Sequence, residues 1–267
     1  MKQETSAWLQ MQRLLANQQP ERPRHGLSVE GELIGSIEES LALQLGADAL
    51  KQYGLELHWH NDTWVLGGQA DCTFRLNQLA QLLRAQGLAG AWRDEQLLVC
   101  NAAGQKVATV ERGAVRPLGI ATRAVHLVGY CEDGALWVQQ RSEDKANNPG
   151  MWDTLMGGMV SAEDSLPEAL ARETWEEAGL HVTELAQVAH GGCIEFSRPS
   201  DEAEGQGYMV ERIDWFSALV PDALQPVNQD GEVQRFERLP LSVLEDWLVQ
   251  GRFTPEASLV LASYMGW

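Results

Sequence analysis

Three carboxylates crowd one short segment of this chain, and a chain that keeps them together needs something to hold them. The segment reads Arg172-Glu173-Thr174-Trp175-Glu176-Glu177-Ala178-Gly179. On a helix, Glu173, Glu176 and Glu177 stand at i, i+3 and i+4 and share one face. Like charges at that spacing cost roughly 0.2–0.5 kcal/mol per pair in an isolated helix. A face needed only for solubility would mix Lys or Arg among them. A bound cation is the natural compensation. Mg²⁺ or Mn²⁺ takes oxygen ligands in octahedral geometry and keeps water and phosphate in its shell. Arg172 can hold a carboxylate through two parallel N–H donors.

The local signals predict a helix from about Ser165 to Ala178. Ser165 and Glu168 sit at capping-box spacing, Pro167 is tolerated in the first turn, and Gly179 suits the left-handed position after the last turn. A bare Glu-x-x-Glu-Glu is more often a solvated acidic face. The wider frame argues otherwise. Chance matches to Gly158, Arg172, Glu173, Glu176, Glu177 and Gly179 at fixed offsets are expected on the order of 10⁻⁵ times in such a chain.

Gly158, five residues, Asp164, seven residues and then Arg172-Glu173-x-x-Glu176-Glu177-x-Gly179-Leu180 resembles the Nudix box. Two positions depart from that pattern. Asp164 stands where a Glu is usual, and Thr174 where an aliphatic residue is usual. Asp164, near the helix start, can keep the acidic role with a shorter arm. The resemblance implies an α/β/α sandwich around a mixed sheet, and hydrolysis of a diphosphate linked to an organic group. It also implies that Glu173, Glu176 and Glu177 bind Mg²⁺ or Mn²⁺, with the Gly158 carbonyl a further ligand. The box does not fix a general base. Glu177 and Glu232 are the candidates, with His190 weaker. The candidate catalytic residues are therefore Arg172, Glu176, Glu177 and Glu232.

Composition narrows the partners. The net charge of −18 disfavours a nucleic-acid backbone, which needs a basic surface. It does not disfavour a small anionic substrate, because a cation held by carboxylates inverts the local sign. There is no run of 18 apolar residues, so no membrane span is expected. The first twenty residues lack an apolar stretch of signal-peptide length, and the four cysteines form no CxxC pair. A cytoplasmic protein is the expectation, with a homodimer left open.

Along the chain, residues 1–19 read as a helix with Trp8, Met11, Leu14 and Leu15 on one face. Strands are expected around Leu27–Ile37, Leu55–Leu66, Gln96–Cys100 and Lys106–Glu111, with a helix at Leu76–Ala85. A boundary near Arg116-Pro117-Leu118-Gly119 divides the chain into residues 1–118, a small α+β accessory domain, and 119–267, the Nudix domain. Beyond it come a hairpin at Ala124–Tyr130 and Ala135–Gln140, and strands at His181–His190 and Arg212–Leu219. Two helices close the chain, Ser242–Gln250 with a Ser242/Glu245 capping box and Pro255–Met265 capped by Thr254. His58 and His60 share a strand face but have no third ligand and read as structural.

Further motifs resemble one Nudix subgroup, the proteins associated with thiamine pyrophosphokinase. These are Leu136–Ser142 with Lys145, Pro149-Gly150-Met151-Trp152-Asp153, Pro226-x-Asn228-x-Asp230-Gly231-Glu232-Val233 and Phe253-Thr254-Pro255. The N-terminal part contributes Trp92-Arg93-Asp94-Glu95, Glu111-Arg112 and Gly119-Ile120. Glu256 departs, where an Asn is common. That resemblance implies thiamine diphosphate or its oxidised analogues as substrate, cleaved to the monophosphate and phosphate. A flat cationic ring could stack on tryptophan. Trp152, close before the Gly157-Gly158 pair, is the expected platform, and Trp175 is expected to pack inside the fold. Arg141 and Lys145 are expected at the substrate, and Arg141 could instead pair with a box carboxylate. An isopentenyl diphosphate isomerase is disfavoured, since Thr154-Leu155-Met156-Gly157-Gly158 lacks the His and Cys that chemistry needs. A nucleotide-sugar or dinucleotide pyrophosphatase and a binding-only sensor stay as alternatives.

Overall fold

The computed structural model describes residues 2–145 and 147–267, with side chains from Ser6 onward. Helix α1 (Lys2–Ala16) precedes a first sheet of β1 (Arg24–Val29), β2 (Glu32–Glu38), β3 (Leu55–His60) and β4 (Thr63–Gly68). The strand order is β2-β1-β4-β3, with β1 and β4 parallel and the outer pairs antiparallel. Each of the two stretches of strand and turn pattern, Leu27–Ile37 and Leu55–Leu66, is thus a hairpin. The reason is local. Glu30-Gly31 and Asn61-Asp62 both have positive φ at consecutive residues, as a two-residue type I′ turn requires.

Short helices α2 (Glu39–Gln44) and α3 (Ala47–Gln52), not expected from the sequence, link the hairpins. Helix α4 (Cys72–Ala85) then covers the sheet with Leu76, Leu79 and Leu83 fully buried. A two-stranded ribbon, β5 (Gln96–Cys100) and β6 (Lys106–Glu111), completes this core, which extends through Val115, Leu118 and Ile120.

The second sheet holds β7 (Ala121–Tyr130), β8 (Leu136–Arg141), β9 (Trp152–Asp153), β10 (Met156–Met159), β11 (Ala186–Ser200), β12 (Gly207–Leu219) and β13 (Val233–Leu239). Its main order is β11-β12-β7-β8-β13, with β10 paired to β7 and β9 to β8. Only β7 and β12 run parallel in that path, so the sheet is mixed. Helix α5 (Leu166–Ala178) lies on one face, over Val125, Leu127 and Met156. A one-turn α6 (Glu202–Gly205) precedes β12. Helices α7 (Leu241–Val249) and α8 (Pro255–Tyr264) cover the other face, over Ala124, Val128 and Val138. The result is the α/β/α sandwich of the Nudix fold, preceded by a small α+β region. Strand β7 is buried on both sides, which explains its near-continuous apolar run.

Three local expectations are corrected. Helix α1 packs by Leu9 and Ala16, joining the second core beside α8, while Met11, Leu14 and Leu15 face outward. Helix α7 begins after Pro240 with no side-chain cap, so the Ser242/Glu245 box does not form. Strand β11 starts at Ala186 and runs to Ser200, well past the expected end.

The capping of α5 is as the sequence predicts. The Ser165 hydroxyl accepts from the Glu168 N–H at 3.4 Å, and the Glu168 carboxylate accepts from the Ser165 N–H at 2.8 Å. Ser165→Ala is expected to lower stability by about 1 kcal/mol, measured by urea unfolding. An unchanged midpoint would show that the box contributes nothing.

Candidate active site

Helix α5 and the Gly157-Gly158 stretch of β10 lie against each other, and the acidic residues face the gap between them. Arg172 organises the gap. Its Nε and Nη2 both donate to Asp164 Oδ2, at 2.9 and 2.8 Å. Its Nη1 donates to Glu173 at 2.9 Å and Glu176 at 3.0 Å, and Nη2 also reaches the Met159 carbonyl at 3.1 Å. The shorter arm at position 164 is thus used to anchor Arg172. Burial works against the Arg172 charge, but Glu173 and Asp164 outweigh it and raise its pKa.

The three glutamates differ. Glu177 is buried, and its Oε2 accepts from the Gly157 N–H at 3.0 Å and from Gln139 Nε2 at 2.7 Å. Burial pushes it up to about 8, despite Lys145 and these two donors. Glu173 is raised to about 7, again by burial first, with Arg172 pulling the other way. Glu176 is the most exposed of the three. The Glu173 carboxylate occupies the space that a Cβ on Gly158 would need, so only glycine allows the approach.

A separate loop brings Glu232 over this face. Val227 N–H donates to the Ala178 carbonyl at 2.8 Å and Gln229 N–H to the Glu176 carbonyl at 3.1 Å, fastening the loop to the end of α5. Asn228 and Asp230 hold its turn through side-chain bonds to backbone groups. Lys145 then pairs with Glu232, with Glu177 Oε1 at 3.9 Å. Burial would raise Glu232, but Lys145, Arg93 and Arg112 pull it below its ordinary value. Two carboxylates that share Lys145, buried Glu177 and cleft-lining Glu232, are therefore pushed apart, Glu177 upward and Glu232 downward. Such a split separates acid and base roles.

The cleft measures about 370 Å³ and is lined by Glu173, Glu176, Glu232, Arg172, Arg93, Glu95 and Arg112 among others. A second cavity of about 520 Å³ is walled by Gly157, His126, Asp153, Arg141, Glu211 and Glu256, with Arg112, Arg116 and Arg198. Arg112 lines both. Sequence reasoning gave no site role to Arg93, Glu95 or Arg112. Their only signal was membership of the N-terminal motifs.

The substrate side requires corrections. Trp152 is buried, packed 4.9 Å from the Trp247 ring, and offers no open stacking face. Alternation along β9 is the reason. Trp152 points into the core, and its neighbour Asp153 lines the larger cavity. The backbones of Trp152 and Thr254 are hydrogen-bonded at 2.8 Å, and Thr254 Oγ1 lies 3.3 Å from Asp153 Oδ2, so the two motifs brace each other. Arg141, which lines the larger cavity, pairs with no box carboxylate. It lies 3.5 Å from Asp153 and donates to the Asn147 carbonyl. Trp175, expected inside, is exposed and stacked on His181. His190 pairs with Asp214 at 3.2 Å, and His58 and His60 are exposed on β3.

A family model for the NUDIX domain matches residues 121–257. The chain belongs to the Nudix family. It is 27% identical over 161 residues to Nudix hydrolase 24, chloroplastic, of Arabidopsis thaliana, covering 59% of this chain and 43% of that protein. It is 26% identical over 219 residues to an uncharacterised Saccharomyces cerevisiae protein, covering 73% of this chain and 62% of that one. Among solved structures, a Deinococcus radiodurans protein aligns with TM-score 0.48 and 21% identity, over 64% of this chain and 99% of that chain. The chain thus spans about two fifths of the plant relative's length and about three fifths of the yeast one's. No helix of the described residues is long and apolar enough to cross a membrane.

Nudix hydrolases generally use divalent metal ions. Among the described residues, no group of three acidic, histidine or cysteine side chains is placed to hold a metal ion, so Glu173, Glu176 and Glu177 share the helix face without closing on one point. Mg²⁺ does not need a closed cage, since it binds through one or two carboxylates and completes its shell with water and phosphate. The half-buried Glu173 and Glu176, the buried Glu177 and the Gly158 gap fit such an ion.

Two outcomes follow. Gly158→Ala should fold but displace Glu173, with Mg²⁺ affinity and any turnover both falling; unchanged Mg²⁺ titration would contradict the gap. The second concerns pH. Glu173 and Glu177 are raised from 4.5, so the folded chain binds their protons more tightly than the unfolded one. Their contribution is fully present below pH 4.5 and is lost as pH rises toward 8. A divalent ion must displace those protons. The gain in Tm from Mg²⁺ should therefore be larger at pH 8.5 than at pH 6, and equal gains in a thermal scan would contradict it.

Proposed function

We propose that this protein hydrolyses an organic diphosphate with Mg²⁺ or Mn²⁺. The observation that carries the reading is the acidic face of α5, with Glu173 seated in the space left by Gly158 and Glu177 held by the Gly157 N–H. Glu173, Glu176 and Glu177 would hold the ion, with the Gly158 carbonyl beside them. When bound, a divalent ion neutralises charge on a diphosphate and makes water a better nucleophile. The residues of the chain do the rest. Arg172 keeps Glu173 and Glu176 in place. Glu232, held ionised by Lys145, is the better-placed general base, since Glu177 has its Oε2 committed to two donors.

For the substrate, we favour a small cationic heteroaromatic group such as that of thiamine diphosphate or its oxidised analogues, released as the monophosphate and phosphate. The larger cavity supports this by size: at about 520 Å³ it suits one small organic group. Its acids Asp153, Glu211 and Glu256 each already face an arginine, Arg141, Arg116 and Arg198, so the preference for a cationic ring rests on the sequence resemblance. A dinucleotide or nucleotide sugar, or a small diphosphate bound without turnover, is the contrasting reading. The substrate is taken as a small molecule, with neither nucleic acid nor membrane as partner.

Glu176→Gln should reduce phosphate release by more than ~100-fold, since losing even an outer partner of a metal site typically costs 10–100-fold. Wild-type turnover in that variant would refute the metal assignment. A panel setting thiamine diphosphate analogues against ADP-ribose and diadenosine polyphosphates tests the substrate; equal or better turnover of the latter would remove the thiamine-like preference.

A further inference from the structure

We infer that the N-terminal part of the chain completes the active site by supplying its diphosphate clamp, Arg112 with Arg93 beside it. The inference rests on the proposed hydrolase reading and adds a binding site that the box does not contain.

The first ground is position. The 370 Å³ cleft is lined by two of the candidate metal ligands, Glu173 and Glu176, and the 520 Å³ cavity has room for an organic group. A diphosphate joining the two must pass the wall they share, and Arg112 stands in that wall. Arg93 lines the cleft as well. Both guanidinium groups act on Glu232, which places their charge beside the reacting face.

The second ground is availability. Among the described residues, the Nudix half offers two cations beside the cleft, Arg172 in its wall and Lys145 against Glu232, and both are engaged. Arg172 spends its donors on Asp164, Glu173, Glu176 and the Met159 carbonyl. Lys145 sits between Glu232 and Glu177. Arg112, by contrast, uses only Nη1, on Glu95 at 2.8 Å, and its side chain is 37% exposed. The Arg93 guanidinium has no hydrogen-bond or ion-pair partner among the described residues, and the residue is exposed. A planar guanidinium fork matches phosphate oxygens two at a time.

The third ground is rigidity. Buried Glu111 accepts from the Arg93 N–H at 2.9 Å, and the Arg112 N–H donates to the Glu95 carbonyl at 2.9 Å. The two arginine segments thus brace each other. The Gly90 N–H reaches the Gly113 carbonyl at 2.7 Å, and the Ala162 N–H, just before α5, reaches the Gln96 carbonyl at 2.8 Å. The last bond ties the clamp to the acidic helix without a flexible hinge.

The test is calorimetric binding of methylenediphosphonate, a diphosphate that cannot be hydrolysed, to the full chain with Mg²⁺. Mg²⁺ alone is titrated in parallel. Arg112→Ala should bind the diphosphonate roughly 10- to 100-fold more weakly, the range for losing a hydrogen bond to a charged group, while its affinity for Mg²⁺ stays within about threefold. Arg112→Lys should recover part of the loss. A merely structural role would weaken both titrations together, and that result would overturn the inference, as would wild-type diphosphonate binding by Arg112→Ala. If Arg112→Ala does not fold, Arg93→Ala carries the test, because its side chain braces nothing; binding equal to wild type there would overturn the pair. Failure of the wild-type chain to bind diphosphonate with Mg²⁺ would instead sink the hydrolase reading and the clamp with it.

Discussion

Arg172 is the interaction on which the acidic cleft depends. One guanidinium reaches three carboxylates and a backbone carbonyl, from Asp164 before α5 to Glu176 in its last turns. Without that cation, Glu173 and Glu176 would repel each other across a single helical turn. Burial makes the matter sharper, because a partly desolvated charge is screened less than an exposed one. The arginine solves the problem on one side only. Glu177 relies on the Gly157 N–H, Gln139 and Lys145 at 3.9 Å, and against its burial these do not keep it in the ordinary carboxylate range. The fold therefore holds a set of acids that favours protons or a further cation beyond Arg172 and Lys145. That unfilled demand is the physical argument for a metal, and it comes from this chain's own packing.

The glycines serve the same end. Gly158 leaves space for a carboxylate where any other residue would place a methylene, and Gly157 turns a backbone N–H toward Glu177. At the other end, Gly179 takes the left-handed conformation that ends α5 and lets the loop carrying Glu232 pack close. The site is thus a strand, a helix and a return loop that fit around five acidic groups, Asp164, Glu173, Glu176, Glu177 and Glu232.

How much of this was legible in the sequence depends on distance along the chain. The capping of α5, its stop at Gly179 and the shared face of Glu173, Glu176 and Glu177 are local, and they are as expected. Trp152 shows where legibility ends. The right segment lines the cavity, but a period of two decides which neighbour faces it, and the residue is Asp153. In α1 the apolar stripe of Met11, Leu14 and Leu15 was the obvious inward face, yet Leu9 and Ala16 make the contact. Tertiary packing, set by how closely α1 approaches α8, overrode the pattern. The partners of Arg141 and Lys145 depend on loops far apart in sequence, and nothing local reveals them.

The least legible part is what the first 120 residues contribute, and charge explains why they matter. A chain of net charge −18 repels a diphosphate at long range. Binding then needs a local reversal of sign. The walls of the two cavities concentrate arginines: Arg93, Arg112, Arg116, Arg141, Arg172 and Arg198. Three of these six lie before residue 121, outside the matched family region. Two of the remainder, Arg141 and Arg198, pair with Asp153 and Glu256, and Arg172 is held by the box acids. Of the N-terminal three, Arg116 is bound to Glu211 at 2.8 Å. What is left for an incoming anion is Arg93 and the free edge of Arg112. On the proposed reading the acidic face takes the cation, and the surplus positive charge beside it comes from the other half of the chain, so the proposal needs both halves to seat a metal and a diphosphate in one cleft.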